Sequence, residues 1–202
     1  APELPTKVAR KQGGNIPIKQ GAYRKPVVES RANELMEALK ERCSSWKFDD
    51  NDNNRQGWKF AEYEMKGIPV RIAMGMRDIE NNVVEGARRD TKEKQTLKMD
   101  GLAGAVAALL DDIQQNIYNR AKGYQTDHIT EANNWDEFVK LLDEKTGFIA
   151  SHWDGTAETE EKIKDATKAT IRCIPVNNKQ EDGKCVLTGM PSKERVLFAR
   201  AY

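Results

Sequence analysis

A stop at Gly67-Ile68-Pro69 separates two runs of opposite hydrophobic period. Before it, residues 56–66 (QGWKFAEYEMK) suit a short helix, and residues 51–54 offer capping oxygens for its start. Gly67 ends the helix and Pro69 keeps it from resuming. A spacing of four puts Phe60 and Glu64 on one helical face. After the stop, Val70, Ile72 and Met74 alternate with Arg71 and Ala73, which predicts a strand with an apolar core side. Arg71 is then expected to be displayed on the opposite side. Gly75 breaks the strand and leaves Arg77 and Asp78 in a loop beyond its carboxyl end, where binding groups are commonly carried.

An aromatic ring, two carboxylates and two guanidinium groups in one place suit a splayed-out nucleotide base. The ring stacks on the base, the carboxylates accept from its N–H donors, and the guanidinium groups donate to carbonyl oxygen and ring nitrogen. Guanine is the base whose pairing edge offers two adjacent donors to a single carboxylate. Residue types alone leave a second reading open, in which Glu64 and Arg77 lie on solvated surface and Phe60 belongs to the core.

Charge decides what kind of nucleic-acid binder this would be. The formal net charge over 202 residues is only +1, although 32% of residues are charged. That balance argues against broad non-specific binding and leaves room for a compact site with a local basic rim. Arg88, Arg89, Lys92, Lys94 and Lys98 offer that rim, or else a strand edge protected by charge. Cys43, Cys173 and Cys185 are odd in number and widely spaced, so no disulfide framework is implied, and a reducing cytoplasm fits. No stretch approaches membrane-spanning length, and the opening residues have no apolar signal core. The expectation is therefore a cytoplasmic protein without membrane contact.

Along the chain, residues 1–26 read as an arm with at best one short strand near 15–19. Residues 27–42 carry Val28, Ala32, Leu35, Met36 and Leu39 at helical spacing. Strands are expected at 46–49, 70–74, 82–89 and 94–99, so strands and helices alternate up to this point, as in a mixed α/β layer structure of about five strands. From Gly101 onward, Leu102, Val106, Leu109, Leu110, Ile113 and Ile117 predict a long helix towards His128, with Gly123 as an end or bend. We place a domain boundary near 120, giving domains 1–120 and 121–202. The second domain reads as small α+β: helices at 135–145 and 156–168, strands at 147–152, 170–175 and 195–199, and a hairpin at 188–191.

Other chemistry finds little support in these residues. His128 and His152 have no evident nucleophile and orienting group beside them. Gly13-Gly14 precedes no clear helix, so no phosphate loop is read there.

The runs GWKFAEYEMKGIPVRIAMGMRDIENN and VVEGARRDT closely resemble the anticodon-binding domain of prolyl-tRNA synthetases of the archaeal and eukaryote-like type, and RCIP and VLFARAY resemble that family's small C-terminal domain. The resemblance covers nearly the whole chain and is weakest over the first thirty or so residues, where the family has a firmer apolar strand. It implies the class II synthetase anticodon-binding fold and tRNA(Pro) as partner. Phe60 would stack on an anticodon base, Glu64 and Arg71 would contact one of the two guanines shared by proline anticodons, and Arg77 with Asp78 would contact the other. Arg88, Arg89 and Lys92 would meet the RNA backbone. Tyr202 matches a terminal tyrosine whose carboxylate turns towards the catalytic domain of the same enzyme. The parent enzyme would join proline to tRNA with ATP, typically as a homodimer through its catalytic domain. The class II signatures for ATP and proline are absent here, so this chain alone is expected to be inactive, to need no cofactor and to be monomeric.

Many members of the family hold zinc in the small domain with four cysteines. The matching positions here are Asp154, Thr159, Cys185 and Thr188, which retain a single thiolate donor, so zinc is not expected. Asp154 and Thr159 are expected to serve as turn and helix-cap residues instead. Two further classes fit the residues: a free-standing tRNA-binding or regulatory homologue, and a small-molecule-binding α/β module using the Glu64 and Arg77 cleft.

Overall fold

The first strand owes its existence to two glycines. The computed structural model describes residues 5–9, 11–18, 25–41, 43, 45–51 and 53–200, and within it Gly13 and Gly14 open β1 (Gly13–Pro17). A Cβ on Gly13 would lie 2.1 Å from the Trp46 ring, and one on Gly14 would lie 2.3 Å from the Tyr63 ring. Two large aromatic side chains thus pack directly onto bare backbone, which only glycine permits. β1 pairs in parallel with both β2 (Trp46–Phe48) and β3 (Val70–Met74). The expected arm with a strand near 15–19 is corrected: the strand starts two residues earlier and lies inside the sheet, with every residue buried. Much of the expected arm, together with Tyr202, falls outside the described residues.

The sheet of the first unit, Ala1–Arg120, is completed by β4 (Val83–Arg88), antiparallel to β3, and β5 (Lys94–Lys98), antiparallel to β4. Its order is β2-β1-β3-β4-β5, a mixed five-stranded sheet flanked by helices. On one face α1 (Lys25–Lys40) and α4 (Leu102–Asp127) bury Val28, Leu35, Leu39, Val106 and Ile113 against Val70, Ile72, Met74 and Val84. On the other face α2 (Gln56–Met65) covers β1 and β3 through Ile16, Tyr63 and Ile68. The helix α4 runs through Gly123, so that glycine does not end it.

α2 closes as the sequence implies but begins differently. At its end the Ile68 amide donates to the Tyr63 carbonyl, the Gly67 amide donates to the Glu64 carbonyl, and Gly67 takes φ 67°. These are the two hydrogen bonds of a Schellman stop. At its start the N-cap is Arg55, with no side-chain capping bond, which corrects the expected cap from residues 51–54. What seats α2 is Asp49, just beyond the end of β2. Its carboxylate is buried and accepts from the Tyr63 hydroxyl at 3.1 Å, with Lys59 Nζ 3.0 Å away. Burial alone would raise the Asp49 carboxyl, but Lys59, Tyr63 and Lys47 together hold it below the usual carboxylate range, and the same contact pushes the Tyr63 hydroxyl up after burial has done so first.

The second unit, Ala121–Tyr202, has a four-stranded sheet in the order β6-β7-β11-β8, from β6 (Ile129–Glu131), β7 (Phe148–His152), β8 (Ala169–Cys173) and β11 (Arg195–Arg200). β6 was not expected from sequence. α5 (Trp135–Glu144) and α6 (Ala157–Thr167) pack Phe138 and Ile163 against Phe198, Ile149 and Val196, with Phe138 and Phe198 edge to face at 5.1 Å. A small hairpin pairs β9 (Gly183–Lys184) with β10 (Pro191–Ser192).

At the positions matching the family's zinc ligands, Asp154 Oδ2 accepts from the Thr159 and Thr188 hydroxyls, both at 2.8 Å, and Oδ1 accepts from the Thr156 hydroxyl and amide. The helix cap is Thr156, whose hydroxyl accepts from the Thr159 amide. One carboxylate, one buried thiol and two hydroxyls do not fit a structural zinc site, and the carboxylate is already satisfied by hydroxyl donors.

Candidate nucleic-acid interface

The site is built where α2 lies across β3. Alternation along β3 sends Arg71 to the face opposite Val70, Ile72 and Met74, as expected, but α2 covers that face. Arg71 is therefore buried, 7% exposed, and the expectation of a displayed side chain is corrected. Its guanidinium lies on the Phe60 ring with its carbon 3.5 Å from the ring centroid, a stacked cation–π contact. Phe60 is thus half-buried, with one ring surface occupied by Arg71, and is not a bare platform for a base.

Arg71 Nη1 is buried without a hydrogen-bond partner, and its nearest acid is Glu85 Oε1 at 3.8 Å. Burial lowers the guanidinium's proton affinity, opposed by Glu85 first and Glu64 second. Glu64 is exposed and shares with Arg71 a cavity of about 60 Å³, also lined by Ala87, Arg89, Lys92 and Lys94. A carboxylate and an arginine whose Nη1 is unspent thus line one opening, with basic side chains at its margin. Such an arrangement can accept from N–H groups and donate to a carbonyl on one planar ligand edge.

Arg77 and Asp78 are placed differently. They belong to a short helix, α3 (Met76–Glu80), and not to an open loop. The Asp78 carboxylate accepts from the Gly75 amide at 2.8 Å and so ties that helix to the end of β3, whereas Arg77 is exposed. Asp78 lines a second opening with Glu85, Lys94, Gln95 and Thr96, whereas Glu64 and Arg71 line the first. Glu85 is the residue that sequence reasoning missed here, since its relation to Arg71 exists only through strand pairing.

The expected backbone-contacting residues divide. Arg88 grips Asp90 with both Nε and Nη2, at 2.8 and 2.7 Å, and reaches Asp112 with Nη1 at 2.7 Å. The hydrogen bonds it donates to Asp90 above all, and then to Asp112, push its proton affinity up, and Asn116 of α4 donates to the same Asp90. Arg88 is therefore an internal clamp, and it also borders the opening shared by Glu64 and Arg71. Arg89 Nε donates to the Glu64 carbonyl at 3.1 Å, which ties the end of α2 to the strand beyond. Lys92 and Lys94 are exposed at the cavity margin. Among the described residues no group of three or more His, Cys, Asp or Glu is placed to hold a metal, and no helix is long and apolar enough to cross a membrane.

Comparisons with known proteins place both units in described domain families. Residues 16–109 match a family model described as an anticodon binding domain, and residues 135–202 match one described as the C-terminal domain of prolyl-tRNA synthetase. Proline–tRNA ligases from Porphyromonas gingivalis and Christiangramia forsetii are 51% and 48% identical over 199 residues, covering 98% of this chain and 40% of their own length. The ligase from Bacteroides fragilis is 48% identical over 203 residues, covering 98% of this chain and 41% of its own length. The chain thus spans about two fifths of the length of the curated relatives it matches. It belongs to the prolyl-tRNA synthetase family, as that family's C-terminal region: an anticodon-binding domain followed by the family's C-terminal domain.

Proposed function

We propose that this region recognises the anticodon of tRNA(Pro) on behalf of an enzyme that joins proline to that tRNA with ATP, the catalytic domain being elsewhere in the same polypeptide. The observation that carries the reading is the buried Arg71 Nη1, without a hydrogen-bond partner, at an opening it shares with the exposed Glu64. An unspent buried donor is costly unless a ligand completes it. Glu64 and Arg71 read one guanine, accepting from its N–H pair and donating to its carbonyl oxygen. Phe60 aligns the guanidinium from beneath. Arg77 and Asp78 contact the second guanine, with Asp78 released from or shared with the Gly75 amide, while Arg89, Lys92 and Lys94 meet the adjoining backbone.

The parent enzyme acts in the cytoplasm as a homodimer through its catalytic domain, and this chain by itself is a monomer without ligase activity. Its small domain works without zinc, a reading supported by the three threonine hydroxyls on Asp154.

A good bidentate base contact discriminates by about 1–3 kcal/mol. Arg71→Ala is accordingly expected to weaken binding of a proline anticodon stem-loop by that amount, with little change for a hairpin lacking the two guanines. Equal losses on both hairpins would reduce Arg71 to a structural residue.

A further inference from the structure

Strand register shows what holds Arg71 in place. Across β3 and β4, Arg71 pairs with Ala87 and Ala73 with Glu85, and across β4 and β5, Ala87 pairs with Lys94 and Glu85 with Thr96. Paired residues project from the same face of a sheet. Arg71, Glu85, Ala87, Lys94 and Thr96 therefore share the α2 side, and α2 itself packs over β1 and β3 through Ile16, Tyr63 and Ile68. The part of that face over β4 and β5 carries the short Ala87 between two cations, with Glu85 diagonal to both. Glu85 Oε1 is 3.8 Å from Arg71 Nη1 and 3.2 Å from Lys94 Nζ.

These distances separate two jobs that a carboxylate can do for a buried guanidinium. At 3.8 Å, Glu85 is beyond hydrogen-bond length, so it balances charge while leaving the Nη1 donors unspent. A buried charge that loses its nearest counter-charge is less stable in place, and the flexible arginine stem offers an exit to water. Glu85 also holds Lys94 at the cavity margin and is itself partly exposed, so its carboxylate is not a core requirement of the fold.

We infer that Glu85 is a positioning residue for base recognition: by balancing Arg71 and Lys94 together, it keeps the Arg71 guanidinium on Phe60 with the buried Nη1 donors unspent. This rests on the guanine reading above, and two readouts on the full 202-residue chain keep the two claims apart. The first needs no RNA: Arg71 side-chain protons stacked on Phe60 carry an upfield ring-current shift in the NMR spectrum of the free protein. The second is selectivity between the proline anticodon stem-loop and the same hairpin with both guanines changed to adenine. For Glu85→Gln, the expected results are collapse of the ring-current shift and a loss of selectivity of about tenfold. Affinity for the adenine hairpin holds or rises, because Lys94 is released. Glu85→Asp, which keeps the charge but withdraws it by one methylene, is expected to fall between, and it also serves if the glutamine variant unfolds. Variants that keep both the shift and the selectivity would overturn the assignment. If the unmodified chain binds both hairpins equally, the guanine reading fails, and loss of the ring-current shift in Glu85→Gln still supports the hold of Glu85 on Arg71.

Discussion

Asp154 shows how single residues have taken over local tasks in the second unit. Burial would raise its carboxyl, but hydroxyls of Thr188, Thr159 and Thr156 and the Thr156 amide outweigh that and hold it at about 2. An aspartate in the unfolded chain titrates near pH 4, as a rough reference. A folded-state value below the unfolded one means stability that is present above about pH 4 and lost as the pH falls towards about 2. Asp154→Asn should flatten that limb and lower stability at neutral pH by on the order of 1 kcal/mol. Thermal unfolding from pH 2 to 7, followed on Phe138 and Trp153 resonances of the second unit, checks this, and parallel curves for both proteins would contradict it. At this scale the sequence was partly legible. Helical spacing and strand alternation brought Phe60, Glu64 and Arg71 together correctly, because both periods are local. The burial of Arg71, the commitment of Arg88 to Asp90 and Asp112, and the place of Glu85 were not legible, since each depends on an element arriving from elsewhere in the chain.

Among the elements, β1 departs most from what its residues advertise. Strands are recognised by β-branched and aromatic residues at alternate positions, and GGNIP has few of these because its packing surface is lent by Trp46 and Tyr63. Gly14→Ala would drive a methyl into the Tyr63 ring and is expected to destabilise the first unit by about 1–3 kcal/mol, the usual cost of overpacking. Combining it with Tyr63→Leu should recover part of that loss, as measured by denaturant midpoint, if the clash is the cause. A purely additive double variant would point instead to the strand backbone. By contrast β3 matched its expected bounds residue for residue, since Pro69 and Gly75 punctuate an unbroken alternation. α3 was invisible because five residues are too few to show a helical period, and its capping contact from Asp78 uses the very carboxylate that looked free.

For the whole molecule, near-neutral charge and a cavity of about 60 Å³ favour selective contact over diffuse attraction to RNA. Both units have their own apolar cores, one around Val28, Ile72 and Val106 and the other around Phe138, Ile163 and Phe198. The first carries the proposed reading groups on its sheet and on α2, and in the second the Asp154 carboxylate is held by three threonine hydroxyls. Whether these features amount to anticodon recognition is tested most directly by a salt-matched titration of the unmodified chain with a proline anticodon stem-loop and with the same hairpin carrying adenines for both guanines. Tighter binding of the guanine hairpin, by about tenfold or more for each well-read base, is the expected result. Equal affinity for the two hairpins, in a chain shown to be folded, would contradict it.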